Sequence, residues 1–288
     1  MVSTINKVLI IIFAVCLFNS PAMSQGNQKC MILSDGSQFK KIAFEETIID
    51  KTLINYDKYG LRNVAWPSYS VDTDQLFFEA LSNGKTGVYR VNITEIEAMP
   101  EFLYYGKFPS LSHDGKVVAY IDASNKLVIS DISTGGLEVV SDSVTKQSVW
   151  KRPIWLSNST LIYVSKSDNV MTFNRLNRSH DRLFQQNLFP LASNSKLVLF
   201  TDQDAKKIYK YQSGVLDVIW SSNFLTIGPS ATLTNDGFVY SRQTWKRILS
   251  FSENKSVFHH SNKQNQETEL FSDLSLFGGA IISCENDL

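Results

Sequence analysis

The chain has 288 residues, of which 43% are hydrophobic and 12% aromatic, with 28 basic and 28 acidic side chains. This is an ordinary globular balance with enough apolar material for a large core, and it excludes a disordered chain. The formal net charge is zero and no lysine- or arginine-rich block occurs. Because such a footprint is expected of general nucleic-acid binders, we expect no nucleic-acid partner.

The N-terminal residues have the pattern of a cleaved export signal. Lys7 and the amino terminus supply positive charge, residues 8–18 are an uncharged apolar run, and Ala22-Met23-Ser24 ends in a small-x-small cleavage pattern. The run is short for a membrane span, which needs about 20 apolar residues. We therefore predict a signal peptide over residues 1–24, a mature chain from Gln25, a periplasmic or secreted location and no membrane span.

An internal repeat begins with the string FPSLSHDGKVVAYID at Phe108. Related strings combine a proline or serine start, a polar turn and an apolar run, and they occur six times between Trp66 and the end of the chain. The markers are Pro67, Pro109, Pro153, Pro190, Pro229 and Ser272, at intervals of 42, 44, 37, 39 and 43 residues. A period of about 40 residues is typical of the four-stranded blades of a propeller.

The second unit divides into four short strands. The first ends at Leu111, Asp114-Gly115 is a hairpin turn, and apolar runs at 117–121, 127–130 and 137–140 supply the other three strands. The second strands of the units are continuous apolar runs, as expected when both faces of a sheet are covered. We predict an all-β fold, a six-bladed β-propeller of four-stranded antiparallel blades that forms one domain over residues 25–288.

The phrase aromatic-Pro-Ser-x-Ser-x-Asp-Gly-x-x-x-x-aromatic resembles the WD-like repeat of TolB-type propellers, a periplasmic β-propeller family. The resemblance covers residues 28–288 as a repeat pattern and is closest at residues 108–120. It implies the fold and leaves the activity open, because such propellers serve as binding scaffolds in unrelated systems. The α/β domain that precedes the propeller of TolB has no counterpart here, so a role in the Tol-Pal system is not expected.

The chain ends predict how the ring closes. The sixth unit stops two strands short of a blade, and residues 29–36 and 39–45 fit its third and fourth strands, so that N-terminal strands complete the last blade. Once Cys16 leaves with the signal, Cys30 and Cys284 remain. Aligned on the second unit they face each other across neighbouring strands, which predicts a disulfide; the alternative is two unpaired buried thiols.

Catalytic patterns are not convincing. The sequence has no Gly-x-Ser-x-Gly nucleophile elbow, and Ser112-His113-Asp114-Gly115 closes one residue too early for a sialidase-type Asp box. The histidines lie in turns or outer strands without metal-ligand spacing, so surface histidines are a better interpretation than zinc ligands. We expect no catalytic residue, metal or cofactor from these patterns.

A binding face is predicted where the second-to-third-strand loops and the blade-to-blade loops meet around the channel. Asp202-Gln-Asp204 lies in one of these loops, whereas Asp72-Thr-Asp74 is explained by turn chemistry alone. Aromatic and charged groups on this face suit a peptide, glycan or protein loop. The predicted binding residues, each also consistent with an ordinary loop residue, are Tyr56, Tyr59, Tyr105, Lys151, Arg152, Asp168, Asp202, Asp204 and Trp245.

Two function classes remain open. The favoured one is a secreted or periplasmic binding scaffold, expected to be a monomer, that binds a protein or glycan at the loop face. The alternative is a carbohydrate-active enzyme, a lyase or hydrolase, on the same fold. It predicts at least three acidic, histidine or arginine side chains within about 6 Å of one another at the channel mouth.

Overall fold

The computed structural model describes most of the chain after residue 28. The described residues are 29–34, 36–43, 51–70, 72–95, 98–141, 144, 149–185, 187–194, 196–223, 225–233, 237–248, 251–262, 267–273 and 277–283. The predicted signal peptide and Cys284 lie outside them. In the part of the chain that is described, no helix is long and apolar enough to cross a membrane. The helices there are two 3-10 turns, Asp57–Tyr59 and Val149–Lys151.

The first half of the described chain folds into short antiparallel strands separated by turns. The strands are β1 (Lys29–Ser34), β2 (Gln38–Ala43), β3 (Lys51–Asn55), β4 (Arg62–Ser70), β5 (Gln75–Ser82), β6 (Lys85–Asn92), β7 (Glu101–Leu111), β8 (Val117–Asp122), β9 (Leu127–Asp131) and β10 (Leu137–Ser141). In the repeat unit from Phe108, the predicted strands agree with β8, β9 and β10 to within one residue. That part of the strand prediction is confirmed.

The second half has the same organisation. Its strands are β11 (Ile154–Trp155), β12 (Thr160–Val164), β13 (Val170–Asn174), β14 (Ser179–Phe184), β15 (Leu188–Ser193), β16 (Val198–Asp202), β17 (Lys207–Gln212), β18 (Val215–Ser221), β19 (Thr226–Leu233), β20 (Gly237–Ile248), β21 (Phe251–Asn262), β22 (Glu267–Asp273) and β23 (Phe277–Ser283). Strands β11–β14, β15–β18 and β19–β22 form three four-stranded sheets in chain order.

A seven-stranded sheet runs from β4 to β10 and is divided by the long strand β7. The first part of β7 pairs with β6, with Tyr105 opposite Gly87. The second part pairs with β8, with Gly106 opposite Asp122. Strand β7 therefore acts as the last strand of one four-stranded group and the first strand of the next.

The remaining sheet joins the two ends of the chain in the order β23-β1-β2-β3. The chain end supplies one strand and the N-terminal part three, so the predicted division of two strands each is wrong. Strand β22, which carries the repeat marker Ser272, pairs with β21 instead, because β20 and β21 form a hairpin long enough to give it a partner. The register places Cys30 opposite Ile282, not opposite Cys284.

One strand of each four-stranded group lies next to a strand of the neighbouring groups, and we call the region between these innermost strands the axis. Strands β4, β7, β11, β15, β19 and β23 contact one another in this order, and β23 also contacts β4. Hydrogen bonds link several of them: the Leu111 N–H donates to Ser68 Oγ at 2.9 Å, the Trp155 indole N–H donates to the Ser110 carbonyl at 2.8 Å, and the Ser193 hydroxyl donates to the Trp155 carbonyl. Backbone polar groups at the axis thus find partners on another innermost strand.

The second strands of the sheets form the core. Residues 117–121 of β8 and residues 161–164 of β12 are all buried, with no polar face towards water. Side chains of both strands contribute to a cluster between sheets that also contains Trp66, Phe108 and Trp155. The prediction that these strands are covered on both faces is confirmed.

Candidate functional site

Aromatic residues before the repeat prolines close one region of the axis. Trp66 and Phe108 have φ values of 53° and 55° and lie in bulges where the first strands shift register against their neighbours. Their ring centroids are 6.0 Å apart, and the Arg152 guanidinium lies 5.0 Å from the Trp66 ring centroid. Next to them is an axial cavity of about 190 Å³, lined by β4, β7, β11, β15 and β19 together with Arg152 and His113.

The axial cavity is poor in titratable groups. Arg152 donates a hydrogen bond to the Leu191 carbonyl at 2.6 Å, and burial lowers its pKa to about 10. Burial also lowers the pKa of His113, against hydrogen bonds to the backbone of Trp155 and Leu156. Among the described lining residues, Arg152 and His113 are the only ones that are acidic, histidine or arginine. The enzyme alternative predicts at least three such side chains, so its prediction is not met in this cavity.

Metal binding has no support in the described residues either. They contain no group of three or more histidine, cysteine, aspartate or glutamate side chains placed to hold an ion.

Several predicted binding residues lie in turns before β11 or at the ends of β12 and β16, and each has a partner within the protein. Lys151 forms an ion pair with Asp168 at 2.6 Å and lies over the Phe189 ring at 5.7 Å from its centroid. Asp202 accepts hydrogen bonds from the N–H groups of Lys206 and Lys207 at 2.8 and 3.2 Å, which fixes the turn that carries the exposed Asp204. These contacts account for the residues through turn structure.

Tyr56 was predicted on the binding face, and this is wrong because its side chain is fully buried. Its ring packs against Phe39 at 5.5 Å and Phe78 at 4.7 Å between centroids. Burial, and to a smaller extent the neighbouring Tyr59, raises the pKa of the Tyr56 hydroxyl. Trp245 lies within β20, opposite Asn254, and not in the loop where it was predicted.

The structure brings two predicted residues, Tyr59 and Tyr105, into one groove of about 570 Å³. We call it the aromatic groove. Its lining residues are Tyr59, Leu61, Ser82, Asn83, Lys85, Tyr89, Met99, Pro100, Phe102 and Tyr105. A second depression of about 450 Å³ shares Lys85 and Tyr105 with it and extends to Lys107 and Ala123. The two depressions are therefore adjoining parts of one surface, with Lys85 and Tyr105 common to both.

A β-bulge creates the groove. Tyr104 is opposite Val88 and Phe102 is opposite Tyr89, so Leu103 has no partner residue on β6. Because side chains alternate along a strand, this extra residue puts Phe102 and Tyr105 on the same face. Their ring centroids are 4.9 Å apart.

Gly87 provides the space for this aromatic pair. A Cβ atom added at Gly87 would meet the Phe102 ring at 2.8 Å and the Tyr89 ring at 3.2 Å. Any larger residue would therefore displace the Phe102 ring from its position in the groove. The glycine is required by close packing of side chains, since its φ is not in the left-handed region.

The groove is the exposed end of an aromatic series that starts in the core. Centroid distances are 5.3 Å from Phe39 to Phe78, 5.8 Å from Phe78 to Tyr89 and 5.6 Å from Tyr89 to Phe102. Exposure rises from 0% at Phe78 and 7% at Tyr89 to 44% at Phe102. Tyr105 is 51% exposed and Met99 is 75% exposed. The exposed rings are thus held in place by a buried support.

Two lysines lie over groove tyrosines. The Lys85 ammonium is 5.2 Å from the Tyr105 ring centroid, and the Lys58 ammonium is 4.9 Å from the Tyr59 ring centroid. Lys85 follows a two-residue turn, Asn83-Gly84, whose φ values of 50° and 75° match the tight turn preferred in β-hairpins. The turn fixes the strand position from which Lys85 reaches the ring.

Sequence reasoning missed Phe102, Met99, Lys85 and Gly87. The string Glu101-Phe-Leu-Tyr-Tyr-Gly106 gave a signal, because an outer strand with three aromatic residues is unusual for a solvated edge. The bulge that aligns Phe102 with Tyr105 has no such signal.

Glu79 was also missed, although a glutamate inside the apolar strand β5 is a visible anomaly. Its carboxylate accepts a hydrogen bond from the Phe108 N–H at 2.8 Å. Burial raises its pKa to about 7, while that hydrogen bond and the charge of Lys107 oppose the rise. Glu79 thus supports the bulge at Phe108 from strand β5.

The comparisons with known proteins concern the fold. No protein-family model matches the chain, and no curated protein matches it. A chain of the nidogen/laminin complex superposes with a TM-score of 0.66 at 12% identity, covering 88% of this chain and 98% of that chain. A TolB protein from Agrobacterium tumefaciens gives a TM-score of 0.57 at 13% identity, covering 89% and 98%.

A manganese complex of oligogalacturonate lyase gives a TM-score of 0.48 at 13% identity, covering 86% of this chain and 74% of the lyase, which is too low a score to carry an argument. The other two similarities show that the chain has a β-propeller fold built from antiparallel sheets. The resemblance to TolB-type propellers is confirmed at the level of fold.

Proposed function

We propose that the protein is an exported binding scaffold that binds a partner protein in the aromatic groove. In this proposal residues 1–24 are a cleaved signal peptide, and the mature chain acts as a monomer in the periplasm or outside the cell. The groove belongs to a rigid ring and presents its aromatic side chains without needing to fold on binding. The chemistry of the protein is recognition, with no reaction assigned to it.

A closed six-bladed ring is part of the proposal. Six four-stranded groups result when β7 is counted in both groups that it joins, with β23, β1, β2 and β3 as the sixth. The cyclic contacts of the innermost strands and the pairing of β23 with β1 support closure. A closed ring would leave no inner strand edge exposed to pairing with other chains.

The observation that carries the proposal is the exposure of three large apolar side chains next to one another. Met99, Phe102 and Tyr105 are 75%, 44% and 51% exposed, and all three line the same groove. Scattered exposed apolar residues need no explanation, whereas grouped ones mark interaction sites. Tyrosine, phenylalanine and methionine are also the residue types enriched in protein interfaces.

One of the comparison structures is in keeping with this class. The chain of the nidogen/laminin complex, which this chain covers almost completely, is by its name part of a protein complex. The enzyme alternative needs a group of titratable side chains around the axis, and the described lining of the axial cavity offers only Arg152 and His113.

Site-specific photo-cross-linking tests the proposal. A photoreactive phenylalanine at position 102 should give a discrete adduct with a protein of the native extracytoplasmic fraction. The same group at position 176 serves as control, because Leu176 is 84% exposed and lies in the turn between β13 and β14. The adduct at position 102 should disappear in the Tyr105→Ala background. Equal labelling from both positions, or none from position 102, would contradict the proposal.

A further inference from the structure

We infer that the aromatic groove binds an acidic peptide segment of the partner, with one aromatic or long aliphatic side chain against Phe102 and Tyr105 and carboxylates beside the lysines. This inference rests on the proposed function and specifies the chemistry of the partner at the same site. It follows from the charge of the groove, from the nature of its lining and from the rigidity of its support.

The charge of the groove is one-sided. Lys85 lines both parts of the surface and Lys107 lines the second part. No described lining residue of either part is acidic. Arg90 pairs with Glu101, Lys151 with Asp168 and Arg178 with Glu138, and none of these three ion pairs uses Lys85. In a chain of zero net charge, this local excess favours an anionic segment.

The lining favours a peptide over a sugar. Seven of the ten lining residues of the aromatic groove are aromatic, aliphatic or sulfur-containing, and the polar ones are Ser82, Asn83 and Lys85. The hydroxyl of Tyr59 already donates to the Ala98 carbonyl at 3.4 Å. An apolar peptide side chain needs a water-excluding wall, and Met99 with Phe102 supplies that wall.

Tyr105 lies next to both the apolar wall and the positive charge of the groove. The centroid of its ring is 4.9 Å from the centroid of the Phe102 ring and 5.2 Å from the Lys85 ammonium nitrogen. An apolar side chain in the groove is therefore adjacent to the cation, and a flanking carboxylate on the same segment reaches Lys85 without a second binding site. A lysine over an aromatic ring keeps part of its charge available to an acceptor.

The groove also meets the requirement for rigidity. The Phe102 ring packs against Tyr89 and occupies the space that a side chain at position 87 would fill. Lys85 follows a tight two-residue turn. A binding surface that is ordered before the partner arrives loses less conformational entropy on association. A short segment can then bind with useful affinity through few side chains.

A displayed library of random 12-residue peptides, selected on the full mature protein, tests the inference. The Lys85→Gln/Tyr105→Ala double variant is used for counter-selection, so that only groove-dependent peptides remain. We expect enrichment of aspartate and glutamate around one phenylalanine, tyrosine, tryptophan, leucine or methionine.

Fluorescence polarisation with synthetic copies of the selected peptides then measures how much the lysines and the peptide carboxylates contribute to affinity. Lys85→Gln and Lys107→Gln should each weaken binding by about threefold to tenfold, and amidation of the peptide carboxylates should weaken it by about tenfold or more. Lys116→Gln is the matched control, because Lys116 is an exposed lysine in the turn between β7 and β8, and it should leave binding unchanged.

The possible outcomes separate this inference from the proposed function. Groove-dependent peptides without acidic enrichment, or lysine variants that bind as wild type, overturn the inference while an adduct from position 102 still supports a protein-binding groove. Groove-dependent binding of an oligogalacturonate, tested in parallel, with no groove-dependent peptide would assign the groove to an anionic glycan and overturn it too. Loss of the adduct at position 102 is the separate failure of the proposed function.

Discussion

The two ends of β7 each carry an aromatic residue of a close pair, with opposite consequences. At the axis, Phe108 is 4% exposed and its partner Trp66 is 7% exposed. In the groove, Phe102 is 44% exposed and its partner Tyr105 is 51% exposed. Both pairs are positioned by bulges, but the pair at the axis is part of the buried core and the pair in the groove is exposed to solvent.

The difference lies in the repeat. Trp66 and Phe108 occupy the position before the repeat proline, and their positive φ values carry a strain of roughly 1 kcal/mol or more each. Packing across the axis and the hydrogen bond from Phe108 to Glu79 hold that strained backbone in place. Phe102, Tyr105 and Gly87 occupy positions that no other unit repeats. Repeated aromatic residues therefore build the scaffold, and the non-repeated pair distinguishes one sheet from the others.

Removing the disulfide that the sequence predicts should have the largest effect on the free energy of unfolding. A disulfide between Cys30 and Cys284 would close a loop of about 250 residues and stabilise the fold by roughly 5 kcal/mol. Cys30 lies opposite Ile282, and Cys284 is two positions further along the chain. We expect Cys30→Ser to lower the free energy of unfolding in urea by up to this amount. Alkylation of both thiols in the exported, unreduced protein would refute the bond.

Truncating an aromatic residue of each pair tests the comparison directly. Trp66→Ala removes a buried ring that packs against Phe108 and Arg152, and should cost about 3–5 kcal/mol. Tyr105→Ala removes a half-exposed ring and should cost about 1 kcal/mol or less. Urea denaturation of both variants measures the difference. Similar losses in the two variants would show that the groove pair is also structural.

The carboxyl group beneath Phe108 predicts a dependence of stability on pH. Because burial raises the pKa of Glu79 from 4.5 to about 7, the folded protein binds this proton more tightly than the unfolded chain does. The free energy of unfolding should therefore fall as pH rises from about 4.5 to about 8, by at most about 3 kcal/mol.

Glu79→Gln isolates this contribution, because its amide oxygen still accepts the hydrogen bond from Phe108 and does not titrate. The variant should lose the fall in stability with pH and exceed the wild type above pH 7. Denaturation curves at pH 5 and at pH 8 provide the measurement. Equal pH slopes for the two proteins would exclude Glu79 as the cause.

Gly87→Ala should have the smallest effect on stability and should still abolish binding at the groove. Gly87→Ala places a Cβ atom against the Phe102 ring, which can swing towards solvent at a cost of about 1 kcal/mol or less. Binding at the groove should be lost because its apolar wall moves. Gly106→Ala is the contrasting control, since its Cβ would meet the Ile121 carbonyl oxygen at 2.6 Å and backbone cannot move as easily. A Gly87→Ala protein that binds normally would show that the Phe102 position is unimportant.

The repeat made much of the fold predictable. Turn chemistry and apolar runs located β8, β9 and β10 to within a residue, because each such signal is local in the sequence. The last blade was divided wrongly, because its unit lacks the proline that marks the others and β22 pairs with the long hairpin strand β21.

The groove was only half predictable for a related reason. Tyr59 was found because loop positions follow from strand positions, whereas Tyr105 lies within β7 and not in the loop where it was predicted. Tyr56 was misplaced, because a single residue decides whether a side chain before the 3-10 turn points into the core. Phe102 and Gly87 depend on the bulge at Leu103, and a one-residue shift in pairing leaves no mark in composition or periodicity.

The unbroken course of β7 through two four-stranded groups implies shared local unfolding. Its backbone amides are bonded to β6 before Tyr105 and to β8 after Gly106, so one group cannot open without disturbing the other. Hydrogen exchange should then show a single cooperative unit across β4–β10, where separate sheets would exchange independently. A ligand held at the junction would slow exchange in strands on both sides, including amides far from any atom that it touches.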